Sequence, residues 1–138
     1  FEMPEATARA WRNGWFHTGD GFRRDDDGNF YFVDRLKDAM RKGGENISSL
    51  EVEGYVREHP GVLEVAAIGV PDEHSGEVPK LFIVKKDPAL TAQAVIEFCK
   101  DKLTGYKRPK HVEFRTELPK TNVGKILRRA LRDEKKAA

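Results

Sequence analysis

Cysteine is almost missing: Cys99 is the only one in 138 residues, which excludes an internal disulfide and fits a reducing compartment. No apolar run approaches the roughly 20 residues a membrane-spanning helix needs, and no signal-peptide pattern is read at the start. An excess of one charge is missing too. Lys and Arg number 25 against 23 Asp and Glu, a formal net charge of +2, so no global field draws the chain to nucleic acid or an anionic membrane. His17, His59, His74 and His111 are scattered, and with Cys99 they show no metal-ligand spacing; the metal reading is none. No Ser/His/Asp set, paired carboxylates, repeat or low-complexity tract stands out. What is present is a balance of 38% hydrophobic and 35% charged residues, that of a soluble folded protein in a cytoplasmic setting. The length suits one compact domain, or a small domain with part of a neighbour.

Phe1-Glu2-Met3-Pro4 puts Met third, with strand-like sequence close behind, so the chain is expected to open inside a longer polypeptide. Ala6 to Arg12 reads as a short helix. Residues 13–34 read as a β-hairpin or meander: Gly14-Trp15-Phe16-His17, a turn at Thr18-Gly19-Asp20-Gly21, and Phe22-Arg23-Arg24. A second turn at Asp25-Asp26-Asp27-Gly28 then leads into the aromatic Asn29-Phe30-Tyr31-Phe32-Val33. Such a hairpin needs a sheet or helix to pack against. Residues 35–46 are charged and glycine-rich and read as a domain boundary.

Ser48-Ser49-Leu50-Glu51 is a capping-box pattern that opens a helix to about His59, with Val52, Tyr55 and Val56 as its apolar stripe. Val62 to Val70 and Leu81 to Val84 read as strands, separated by a polar loop around Glu73 to Gly76. Thr91 caps a second helix carrying Val95, Phe98, Cys99 and Leu103, and His111 to Arg115 is a third strand. Gly124 precedes a basic helix from Lys125 to about Arg132. The fold class is α+β: a small mixed sheet with helices packed on one face, preceded by a β-hairpin.

Four motifs, in order, resemble those of adenylate-forming (AMP-forming) acyl-CoA synthetases. Gly14-Trp15-Phe16-His17-Thr18-Gly19-Asp20 resembles the W-x-x-T-G-D motif late in the large domain. Asp34-Arg35-Leu36-Lys37-Asp38 through Gly43-Gly44-Glu45-Asn46-Ile47 resembles the hinge motif. Gly105-Tyr106-Lys107-Arg108-Pro109 and Pro119-Lys120-Thr121-Asn122-Val123-Gly124-Lys125 resemble the approach to the C-terminal lysine and the lysine motif itself. The stretch 103–110 and the ending Gly124 to Arg129 look most like bacterial long-chain fatty-acid CoA ligases. Gly43 to Ser49 looks more like ligases for crotonobetaine, carnitine or other small acids.

The resemblance implies the end of a large N-terminal domain over 1–36 and a mobile C-terminal cap over 37–138. It also implies two steps: an acid and ATP give acyl-adenylate and pyrophosphate, and CoA then displaces AMP. ATP with Mg2+, held mainly by the missing N-terminal domain, CoA and a small-molecule acid are the implied ligands. Lys125 stands where the family places the lysine that reaches the carboxylate and α-phosphate. As the first residue of a helix it would also oppose the macrodipole, which favours a functional reason; the alternative is an exposed lysine. Asp20 matches a ribose-binding aspartate, against a turn aspartate. Arg35 matches an arginine on ribose or phosphate, against an ion pair with Asp34 or Asp38. Lys37 occupies the hinge. Gly43 and Gly44 would border the pantetheine path, against a plain loop before a helix. Tyr106, Arg108 and Lys110 are candidates for the CoA nucleotide, against a solvated charge run. Ser75 lies where some relatives carry an adenine-stacking aromatic.

Two rivals remain open. One is an adenylation domain that loads a carrier protein. The other is a nucleic-acid module using Arg128, Arg129, Arg132, Lys135 and Lys136, although no RRM, KH or zinc pattern accompanies that block and no specific nucleic-acid partner is expected. Peripheral membrane contact stays open, and oligomeric state is not readable. The isolated chain is expected to be inactive.

Overall fold

In a computed structural model that describes residues 2–134, the backbone forms two compact units, Phe1–Lys37 and Asp38–Ala138. The first opens with α1 (Pro4–Ala10), whose proline sits in the first turn, where no N–H is needed. The helix expected to reach Arg12 stops two residues sooner. Asn13 and Gly14 both take positive φ (55° and 76°), the signature of a two-residue hairpin, and they pair β1 (Trp11–Arg12) with β2 (Trp15–Phe16). A second antiparallel hairpin joins β3 (Asp20–Arg24) and β4 (Phe30–Arg35). Its turn is organised by Asp25, whose carboxylate accepts from the Asn29 backbone N–H at 2.8 Å, Asn29 Nδ2 at 3.1 Å and the Tyr31 hydroxyl at 2.9 Å. The Asn29 side-chain bond, first among these, holds the carboxyl below its usual range.

The second unit is built on a five-stranded sheet. β5 (Met40–Lys42) and β6 (Glu45–Ile47) form a hairpin at one side. β7 (Val62–Asp72) and β8 (Gly76–Lys85) form the long antiparallel centre, and β9 (His111–Arg115) runs parallel to β8. The stretch 35–46 is therefore not simply a linker. Gly43 and Gly44, at φ of 58° and 87°, close the two-residue turn of the β5–β6 hairpin, a conformation that a Cβ would oppose. β8 also begins at Gly76, earlier than the apolar pattern from Leu81 suggests, because its pairing with β7 continues to the turn.

Between these strands lie α2 (Ser49–Arg57) and α3 (Ala92–Lys102). Both N-caps are as expected: Ser48 Oγ accepts from the Glu51 N–H and Thr91 Oγ1 from the Ala94 N–H. The two helices cover one face, where Val52, Val56, Val95 and Cys99 pack with Val65, Ala67, Leu81 and Ile83. Alternate residues of the same strands (Ala66, Ile68, Val70, Val78, Phe82 and Val84) point to the other face and bury Leu118 and Leu131. Leu131 belongs to the short α4 (Arg128–Asp133), so the sheet is covered on both faces and not by helices on one alone. Cys99 is a core residue, and burial pushes its thiol up to about 11. No described helix is long and apolar enough to cross a membrane.

Candidate active site

Lys125 does not open a helix. Thr121 N–H donates to the Lys125 carbonyl (2.8 Å), Gly124 N–H to the Thr121 carbonyl (2.8 Å), and Lys125 N–H to Thr121 Oγ1 (3.2 Å). Lys120 bridges Ile126 across this tight loop, Leu127 N–H donates to the Pro119 carbonyl (2.7 Å), and α4 starts only at Arg128. The macrodipole argument for Lys125 therefore falls away. What replaces it is geometric: the loop is closed by its own backbone, Gly124 at φ 79° makes the turn, and Lys125 is displayed in solvent. Of the five cations from Lys120 to Arg132, four sit against carboxylates: Lys120 on Glu64, Arg128 on Glu53, Arg129 on Asp133 and Arg132 on Asp38. Among the described residues, Lys125 alone of these five has no carboxylate partner.

In the first unit, Asp20 and Arg35 are brought together as direct cross-strand partners of β3 and β4. Arg35 Nε lies 3.3 Å from Asp20 Oδ1, close enough for charge attraction but without hydrogen-bond alignment, and that oxygen is shielded from solvent with no aligned donor. The pairing corrects the alternative reading of Arg35. Asp34 accepts the Arg35 backbone N–H (2.8 Å), and Asp38 is engaged by Arg128 and Arg132. A shielded carboxylate oxygen lacking a donor, beside a guanidinium that is 69% exposed, is chemically suited to a ribose with its attached phosphates. Lys37, in the turn that follows β4, is exposed.

The CoA candidates have local roles. Arg108 caps the end of α3: Nε donates to the Leu103 carbonyl (2.9 Å) and Nη2 to the Lys100 carbonyl (2.9 Å). Lys110 pairs with Asp72 at 2.6 Å, and Tyr106 is 38% exposed in a 3-10 turn, Gly105–Lys107. Asp72 also accepts from Ser75 Oγ (2.8 Å) and from the His74 and Ser75 N–H groups. With Lys110 the leading cause, these bonds drive its carboxyl far below the usual range. Ser75 thus serves the β7–β8 turn. Lys135 and Lys136 of the basic block lie outside the described residues, and its three arginines face carboxylates. Among the described residues no cluster of three His, Cys, Asp or Glu could hold a metal ion.

Sequence reasoning missed Glu53 and Lys80, both buried charges. Glu53 adjoins Val52 on the apolar stripe of α2, a position that marks a carboxylate bound for the interior. Nothing comparable flags Lys80, whose partner Glu113 is brought alongside by the β8–β9 pairing.

Residues 51–125 match the family model described as the AMP-binding enzyme C-terminal domain. A long-chain-fatty-acid–CoA ligase of Escherichia coli O6:H1 is 55% identical over 134 residues, 97% of this chain but 24% of that protein. A Mycobacterium tuberculosis fatty acyl CoA synthetase structure is 44% identical with a TM-score of 0.75, covering 97% of this chain and 27% of its own. The ATP-bound structure of MatB from Rhodopseudomonas palustris is 33% identical with a TM-score of 0.87, covering 96% and 27%. The chain thus spans about a quarter of the length of the relatives it matches.

Proposed function

The chain belongs to the AMP-binding enzyme C-terminal domain family, and on that premise we propose that it serves an AMP-forming acyl-CoA ligase whose acid is a long-chain fatty acid. The choice of acid follows the 55% identical relative. The ending Gly124 to Arg129 favours the same class, against the small-acid resemblance of Gly43 to Ser49. In this reading residues 1–36 finish the large domain and 37–138 are the cap. The observation that carries it is Lys125, a cation without a carboxylate partner on a loop stiffened by its own backbone.

Attack of a carboxylate on the α-phosphate gathers negative charge at one phosphorus, and a fixed cation there lowers the barrier most. Lys125 supplies that cation as a compact ammonium on a flexible stem. Asp20 Oδ1 accepts from the ribose hydroxyls, and Arg35 swings its exposed fork to ribose or phosphate. ATP carries Mg2+ into the reaction, held by the large domain. For the second step the chain pivots at Lys37, withdrawing Lys125 and bringing the tight Gly43-Gly44 turn beside the pantetheine arm. Tyr106 and Lys110 meet the CoA nucleotide, with Arg108 contributing at the cost of its bonds to the end of α3.

The test is Lys125→Ala in the full-length enzyme. Pyrophosphate exchange should fall by about 100-fold or more, while CoA-thioester formation from supplied acyl-adenylate stays within about threefold. Equal loss in both half-reactions would remove Lys125 from its assigned role. A carrier-loading domain would instead form no thioester with free CoA.

A further inference from the structure

The least solvated carboxylate among the described ion pairs is Glu53, 2% exposed on α2, and it is paired with Arg128, 75 residues away. Arg128 donates twice, Nε to Oε1 at 2.8 Å and Nη2 to Oε2 at 2.6 Å, while Oε1 also accepts the Ala67 N–H of β7 at 2.8 Å. The remaining nitrogen, Nη1, lies 3.6 Å from Asp38 Oδ2, and Asp38 Oδ1 is taken by Arg132. Glu53, Arg128, Asp38 and Arg132 therefore form one continuous network. A buried ion pair contributes little net stability, because desolvation offsets the attraction, but its forked geometry fixes position closely.

The network lies where position matters. Arg128 is three residues beyond Lys125, on the leg by which the lysine loop enters α4. The other leg is fastened by Lys120 to Glu64 on β7. Asp38 directly follows Lys37, so the segment able to flex at the pivot ends where two arginines grip the backbone's next side chain.

We propose that Arg128 is the positioning residue for Lys125: by clamping Glu53 and Asp38 together, it makes the lysine loop and the first residue after the pivot parts of one rigid lever. The proposal rests on the adenylating role of Lys125 given above. A lever of this kind transmits rotation at residue 37 to the lysine without loss of aim. A loop held only by its own hydrogen bonds would need no such clamp.

The experiment uses the full-length enzyme. Arg128→Met strands the Glu53 charge and risks misfolding, so the decisive variant is the double Arg128→Met/Glu53→Gln, which removes both charges and keeps an acceptor for Ala67. Thermal stability should stay near that of the parent. The kcat of pyrophosphate exchange should fall about 10-fold with the KM for ATP within about threefold, and thioester formation from acyl-adenylate should be nearly unchanged. Added to Lys125→Ala, the double change should cause no further loss, because both act through one group. Amide exchange at residues 121–127 should quicken, a readout independent of activity. Arg128→Lys, which keeps charge but not the fork, should recover only part of the rate. Unchanged exchange kinetics, equal loss in both half-reactions, or full additivity with Lys125→Ala would overturn the proposal. If Lys125→Ala itself leaves adenylation intact, the functional reading fails first, and the two failures are told apart.

Discussion

The two units spend their hydrophobic residues in opposite ways. The second buries apolar clusters on both faces of its sheet, with Phe82, Leu81, Ile83, Met40 and Leu131 at most 1% exposed. In the first, Asp34 is the only buried side chain among the described residues, while Trp15 stands 75% exposed, Phe30 68% and Trp11 60%. Sequence composition does not separate these cases, since the first unit is the richer in aromatics. What separates them is whether each hairpin finds a surface to cover it. A unit that hides its apolar side chains carries its own folding energy; one that displays them does not.

The sharpest way to break this contrast is to separate the units. Residues 38–138 expressed alone should unfold cooperatively by calorimetry and show dispersed amide resonances, whereas residues 1–37 alone should show neither. A cooperative transition in the shorter piece would overturn the comparison. Next in size is a matched pair of truncations. Phe82→Ala should cost about 3–5 kcal/mol by denaturant titration, because it empties the face between Val70, Val84 and Leu131. Phe30→Ala, already in solvent, should cost within about 0.5 kcal/mol. Similar losses at both sites would erase the distinction.

The smallest effect concerns pH. Asp72 is held below its ordinary value of 3.8 by Lys110 and the turn donors, so the folded state prefers it ionised. Its contribution is complete above the unfolded-state value and fades as pH falls through the folded-state one. Asp72→Asn should therefore lower stability at pH 7, with the gap to the parent narrowing toward about pH 3. A gap that widens on acidification would contradict the ion pair.

Much of the second unit was legible from one dimension. The caps Ser48 and Thr91 lie next to the helices they start, and the runs 62–70 and 111–115 are strands because β-branched and apolar residues there have nowhere to go but a sheet. The misreadings have different causes. At Gly43-Gly44 the glycines signalled a boundary, and a boundary and a two-residue hairpin look alike until the flanking residues are seen to pair. The basic run from Lys125 read as one helix because its charge pattern is helical throughout. The Lys120–Ile126 bridge takes its first residues for a loop instead.

Local chemistry thus determined the starts of α2 and α3 and the core strands, because each depends on side chains a few positions apart, whereas the candidate residues came from the motif resemblance. Only the tertiary structure decided that Asp20 faces Arg35 across a ladder, that Arg108 serves the end of α3, and that Glu53 meets Arg128. Those contacts join residues up to 75 positions apart through sheet register and the covering of a second face, and no local preference specifies which distant charge arrives.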